Sequence, residues 1–154
     1  MLKLQSAEAI QERIDQAVAA WLRERQDLIV LMCAINQPGE QALPTSTRIQ
    51  NFCQVLMDYV SAAHFEIYDT LVHRAEHQGR LQAAEQAKRL YAKLQVSTDL
   101  ALRFNDLFDN DEHCEDLQSQ VAHELSELGL ALEERFTLED HLLQLLQEPA
   151  MEAL

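Results

Sequence analysis

Apolar residues recur at helical spacing over a long stretch near the end of the chain: Cys114, Leu117, Val121, Leu125, Leu128, Leu132, Phe136, Leu142 and Leu146. At 3.6 residues per turn they form one stripe along a helix of about nine turns. A helix that long cannot bury its stripe against itself, so the rest of the chain must supply matching faces. Three earlier segments do. The first carries Ile10, Ile14, Ala17, Trp21, Leu28, Leu31 and Ile35, a heptad-like seam broken at Glu24, with Val18, Leu22, Ile29 and Cys33 widening it to one side. The second carries Ile49, Phe52, Cys53, Leu56, Val60, Ala63, Ile67 and Leu71. A weaker third seam runs through Ala87, Leu90, Leu94, Ala101, Phe104 and Phe108, and its polar pair Ser97 and Thr98 leads us to expect a bend or break.

Only three glycines and three prolines punctuate the 154 residues, which favours helices throughout. Ser6 suits a first cap and Glu8 the first turn. Pro38 and Gly39 stop the first helix near Asn36, the loop runs from Gln37 to Ser46, and Thr45 or Ser46 caps the next helix. Asn105 to Asp116 holds six acidic residues and no basic one. It reads as a helix end, an acidic loop and a new helix start, with Asn110 or Asp111 as cap. The pattern predicts helices over 6–35, 46–78, 81–108 and 111–147. Joined by short connections, they make an all-α, antiparallel four-helix bundle, one domain spanning 1–154.

Charge narrows the partners. Asp and Glu number 26 against 12 Lys and Arg, a formal net charge of −14. Such a chain repels nucleic acid and anionic membrane surfaces and draws basic partners, although acidity also serves solubility alone. No run of about 18 apolar residues offers a membrane span and no N-terminal signal pattern is present. Cys33, Cys53 and Cys114 have no C-x-x-C spacing and lie on or beside apolar stripes, as buried reduced thiols do. A cytoplasmic protein without cofactors is expected.

The residues offer little chemistry. A carboxylate-bridged metal site in a bundle needs Glu-x-x-His on two helices, and none of the six histidines has Glu or Asp three positions before it. His73 and His77 stand at i, i+4, a zinc-like spacing, but a solvated helix end explains them better. His64 is the one candidate for a phosphorelay histidine, and Glu66 beside it would repel a phosphoryl group. No nucleophile elbow, Gly-rich phosphate loop or Cys–His pairing occurs. No catalytic or metal-binding residue is assigned.

A surplus face remains. On a regular helical wheel Phe65 lies roughly 160° from the centre of the second seam. Asp58, Ser61, Ala62, Tyr68, Asp69 and Val72 share its side. Apolar residues with a charged rim mark partner surfaces, and the Val18, Leu22 and Ile29 side of the first helix could extend this one into a groove. The competing explanations are a helix buried all round or a homodimer face.

The segment Met57 to Leu71, MDYVSAAHFEIYDTL, resembles the signature of the Rsd/AlgQ family of bacterial sigma factor regulators. Trp21-Leu22-Arg23-Glu24-Arg25, Phe104-Asn105-Asp106-Leu107 and Leu128 to Leu143 are similar to further family motifs, in order along nearly the whole chain. The resemblance implies a cytoplasmic bundle that binds the C-terminal, promoter-reading domain of the primary sigma factor and keeps it from core RNA polymerase and promoter. It implies no direct nucleic-acid contact, and we expect a monomer or weak homodimer. The residues carried over are Asp58 and the Ser61, Phe65 side of the second helix, with Leu22 and Arg25 of the first. Ala19-Ala20 replaces the Asp-Arg that usually precedes the family's Trp, and Ala63 replaces the Gly before its His. The alternative is a histidine phosphorelay or another interaction bundle acting as a homodimer.

Overall fold

The computed structural model describes residues 2–35, 45–109 and 111–147, with side chains described over 8–35, 46–109 and 120–147. The elements are α1 (Leu2–Ile35), α2 (Thr45–Ala62), a π-helical segment (Ala63–Tyr68), α3 (Asp69–His77), α4 (Leu81–Phe108) and α5 (Asp111–Gln147). The backbone stays right-handed helical at Ala62 and at Asp69, so α2, the π segment and α3 form one continuous rod. Four rods then pack as an antiparallel all-α bundle. α1 lies against α2, α4 against α5, and the α2–α3 rod touches the other three.

α1 extends four residues further toward its N-terminus than the sequence suggests, beginning at Leu2 rather than Ser6. The proposed Ser6, Asn110 and Asp111 caps, most of the Gln37–Ser46 loop, and Cys114 and Leu117 lie outside the described residues or side chains. α2 begins at Thr45, one residue ahead of the expected start.

The α3–α4 turn rests on Gly79, whose φ of 76° suits a residue without a Cβ. The Arg80 amide donates to the Ala75 carbonyl at 2.9 Å and the Gly79 amide to that of Glu76 at 3.1 Å. This is the Schellman closure, and it reverses the chain so that α4 returns along α3.

The core is one contiguous cluster. Leu28, Ile49, Phe52, Leu56, Leu94, Ala101, Leu132, Leu142 and Leu146 are buried in it. Phe52 meets Phe104 edge-on with ring centres 5.5 Å apart, and Phe104 leans on Phe108 at 4.7 Å. Cys53 is buried, but Cys33 is exposed, contrary to the expectation that the thiols are buried. Cys33 belongs to the widened margin of the α1 stripe, and the neighbouring rods do not cover it.

No break occurs at Ser97 and Thr98: α4 is helical without interruption. Both hydroxyls donate to the Leu94 carbonyl, at 3.0 and 3.2 Å, and so satisfy themselves within the helix. The irregularity falls in the second rod instead. A π helix advances each residue by about 18° less than an α helix, so six residues shift the downstream phase by about 110°. That slip decides which side chains face the core after Ala63.

Candidate interaction face and the buried polar network behind it

Asp58, Ser61 and Phe65 follow one another at three- and four-residue spacing along the rod, and all three are exposed. Phe65 leaves 81% of its surface open to solvent. Burying such a side chain is worth roughly 2 kcal/mol, so its position is one that a partner can use. Glu66 and Asp69 are also exposed, and Ala62 is half-buried behind them. On α1, Leu22 is half-buried against the core.

Carboxylates gather beside this strip. Glu24 of α1 has its acid form favoured, by partial burial first, then by the negative fields of Asp58, Glu66 and Asp27. One of its oxygens is shielded and has no hydrogen-bond partner among the described residues.

Tyr68 and Val72 do not belong to the face. They are 1% and 6% exposed. A uniform wheel of about 100° per residue places them outward, but the π segment carries the downstream residues back toward the core. Asp69 stays exposed, and its charge also acts on His64 and on Tyr91 of α4. Arg25 is mostly committed within the protein, as its bonds show.

Beneath the strip lies a network of polar groups with Arg135 and Glu139 of α5 at its centre, both wholly buried. One Glu139 oxygen accepts from the Tyr59 hydroxyl and from Arg25 at 3.2 Å; the other accepts from the Tyr68 hydroxyl and from Arg135 Nε at 3.1 Å. Arg135 spends its remaining donors on α4 and the π segment. Nη1 reaches Thr98 Oγ1 at 2.8 Å and Ser97 Oγ at 3.0 Å, and Nη2 reaches the Tyr68 hydroxyl at 3.2 Å. Arg25 donates to the Tyr59 hydroxyl at 3.0 Å and to Asp140 at 2.7 Å, with its guanidinium between the rings of Trp21 and Phe136. Trp21 stacks on Tyr59 at 5.2 Å and donates to the Tyr59 carbonyl at 3.3 Å.

Two guanidinium cations thus face one buried and one exposed carboxylate, a balanced set in which each charge is paired. Burial, and then the charge of Glu139, pushes the Tyr59 and Tyr68 hydroxyls well above their ordinary pKa, so both stay protonated donors. Burial alone would lower Arg25, but Tyr59, Asp140 and Glu139 hold it above its usual value.

A seam read from apolar residues alone passes over Arg135 and Glu139, yet a signal for them exists. Leu128, Leu132, Arg135, Glu139, Leu142 and Leu146 step by four and three without a break. Choosing Phe136 as the seam residue hides the pair and leaves a gap of six before Leu142. An oppositely charged i, i+4 pair in phase with a core seam marks a buried ion pair.

The network leaves His64 little freedom. Its Nε2 lies 3.1 Å from Thr98 Oγ1, its ring packs edge-on against Tyr68 at 5.4 Å, and burial lowers its pKa, with Arg135 adding to the effect. Thr98 already donates to Leu94, so Nε2 is the donor here. A nitrogen held in this way is poorly placed to attack a phosphodonor. The rings of His73 and His77 stand 5.1 Å apart. No group of three or more His, Cys, Asp or Glu able to hold a metal occurs among the described residues. Nor is any described helix long and apolar enough to cross a membrane.

Comparison with known proteins gives a concordant result. The family model described as "Regulator of RNA polymerase sigma(70) subunit, Rsd/AlgQ" matches residues 1–147. A protein named Regulator of sigma D from Yersinia enterocolitica is 31% identical over 148 residues, covering 92% of this chain and 88% of the relative. Proteins of the same name from Yersinia pseudotuberculosis and Shigella dysenteriae are each 32% identical, over 92% and 88% of this chain and 87% of each relative. No solved structure matches the chain.

Proposed function

The chain belongs to the Rsd/AlgQ family of regulators of the RNA polymerase sigma(70) subunit, and from that premise we infer that it is an anti-sigma factor acting by competitive sequestration. Its target is the C-terminal, promoter-reading domain of the primary sigma factor, held on the face that carries Asp58, Ser61 and Phe65. The observation that carries this reading is Phe65, an aromatic side chain 81% exposed beside a concentration of carboxylates.

The physical logic has two parts. A domain that reads a promoter must contact phosphates and is therefore basic. A protein of net charge −14 meets it rapidly, and the carboxylates of Glu24, Asp27, Asp58 and Glu66 orient the encounter. Phe65 then supplies desolvated apolar contact at the centre, with Asp58 pairing with a basic or amide group of sigma and Leu22 at the margin. Arg25 and Tyr68 act from behind, by fixing the rod that presents Phe65. A sigma domain covered in this way is unavailable to core enzyme and to DNA. The protein works as a non-catalytic regulator in the cytoplasm, as a monomer or weak homodimer.

The test is sigma binding by Phe65→Ala and Asp58→Ala, with folding checked by circular dichroism. Removing a central aromatic anchor should weaken binding by about 2 kcal/mol or more, roughly thirtyfold. Both side chains are exposed, so the bundle should remain intact. Wild-type affinity in both variants would overturn the assigned face.

A further inference from the structure

A second recess lies between the N-terminal half of α1 and α3. It is a groove of about 810 Å³ walled by Ile10 and Ile14 on one side and by Thr70, His73, Arg74 and His77 on the other. Its size falls within the range of small-molecule sites, about 300–1,000 Å³. It contains none of Asp58, Ser61 and Phe65, and meets the predicted face only at Asp69.

Arg74 gives the groove its chemistry. One terminal nitrogen makes a long 3.4 Å bond to the Leu146 carbonyl. Its Nε and its other terminal nitrogen are shielded from solvent yet have no hydrogen-bond partner among the described residues. Burial lowers the guanidinium pKa most; Asp15 offsets part of that and Arg80 adds to it. A half-buried guanidinium with two unspent donors is the arrangement that an anionic group relieves. His73 and His77, exposed and one helical turn apart, bring two further imidazoles to the same wall. In a chain with a net charge of −14, the lining sets one Arg against one carboxylate, Asp69, and so is balanced where the protein as a whole is acidic.

We propose that this groove binds a small organic anion, its phosphate or carboxylate head against Arg74, His73 and His77 and its apolar body along Ile10 and Ile14. Asp69 on the rim and Asp15 near Arg74 limit the charge the site accepts, so long polyanions such as nucleic acid are repelled. Thr70 supplies a hydroxyl for orienting the head.

The proposal can be tested by titrating the isotope-labelled full-length protein with phenyl phosphate and, separately, with phenylacetate, following amide shifts by NMR. Saturable shifts should appear in Ile10–Ile14 and Thr70–Gln78 with at least one probe, and the tighter probe identifies the head group. Arg74→Gln should weaken binding about tenfold or more through loss of a charge-assisted contact. The double variant His73→Gln, His77→Gln changes only exposed side chains and should weaken binding severalfold with the fold intact. Phe65→Ala should leave it unchanged. Absence of a saturable shift with both probes, or wild-type affinity in both the Arg74 and the double-histidine variants, would overturn the assignment.

Discussion

The ion pair of Arg135 and Glu139 makes a quantitative claim about the core that a double-mutant cycle can check. Glu139 accepts four hydrogen bonds, from Tyr59, Tyr68, Arg25 and Arg135. In Glu139→Leu, Arg135 remains fully buried with no carboxylate on it, and the Tyr68 hydroxyl loses its acceptor. Breaking one half of a buried pair in this way costs about 3–5 kcal/mol. Arg135→Met has a softer escape, because Glu139 retains Arg25 and both tyrosines, and Ser97 and Thr98 keep their bonds to Leu94. It should therefore fall at the lower end of the same range, about 3 kcal/mol. In the double variant no uncompensated charge remains at the centre, so its loss should be smaller than the sum of the two by about 2 kcal/mol or more. Urea unfolding followed by circular dichroism measures all four corners of the cycle. Additivity within about 0.5 kcal/mol would show that the two charges do not depend on each other, and a core organised around their pairing would be refuted.

Four further outcomes follow from the same geometry. Glu24→Gln should raise the urea midpoint at neutral pH and weaken sigma binding: the raised folded-state pKa of Glu24 means that ionisation, above about pH 4.5, works against the fold. The hydroxyls of Tyr59, Tyr68 and Tyr91 are all pushed up mainly by burial, so the folded state holds protons that the unfolded chain releases above about pH 10. Stability should therefore fall as pH rises past that point, with tyrosinate absorbance appearing only as helicity is lost; early tyrosinate signal in intact protein would refute it. Gly79→Ala meets no atom within 4 Å and should lose only about 1 kcal/mol, from its positive φ alone, by the same urea assay. His64→Gln should keep its bond to Thr98 and show near-native sigma affinity, whereas a phosphorelay role would require its phosphodonor labelling to vanish.

The four rods were legible because period and punctuation agreed: seams at three- and four-residue steps, few glycines, and a Pro-Gly pair in the sequence shortly after the end of α1 at Ile35. Phe65 was legible for the same reason, since it precedes most of the accumulated phase shift. Tyr68 and Val72 were not. Each lies after residues in which the helix is underwound, and a wheel that assumes uniform rotation accumulates the whole error by then. Arg135 and Glu139 were hidden differently, by the presumption that a seam position is apolar. The 4-3-4-3-4 spacing from Leu128 to Leu146 already put them inside.

The phase slip and the buried pair have one physical origin. A fully buried carboxylate must find donors, and Glu139 takes its donors from Tyr59 and Tyr68, which stand nine residues apart on the same rod. In an unbroken α helix nine residues turn through about 900°, leaving the two tyrosines on opposite sides. The six π-helical residues that end at Tyr68 remove about 110° of that rotation, enough to bring both hydroxyls to one acceptor. The same six residues contain Phe65, on the outer side. The backbone irregularity that satisfies the core is thus the one that displays the aromatic. Because Arg135 also grips Tyr68, and Thr98 grips His64, the segment is held on both sides of Phe65. A side chain presented from so constrained a backbone loses little further entropy when a partner covers it. If Phe65 is the sigma contact proposed above, the ionic core supports recognition by limiting motion under it, and the Arg135→Met, Glu139→Leu double variant should then bind sigma more weakly than its remaining stability alone explains.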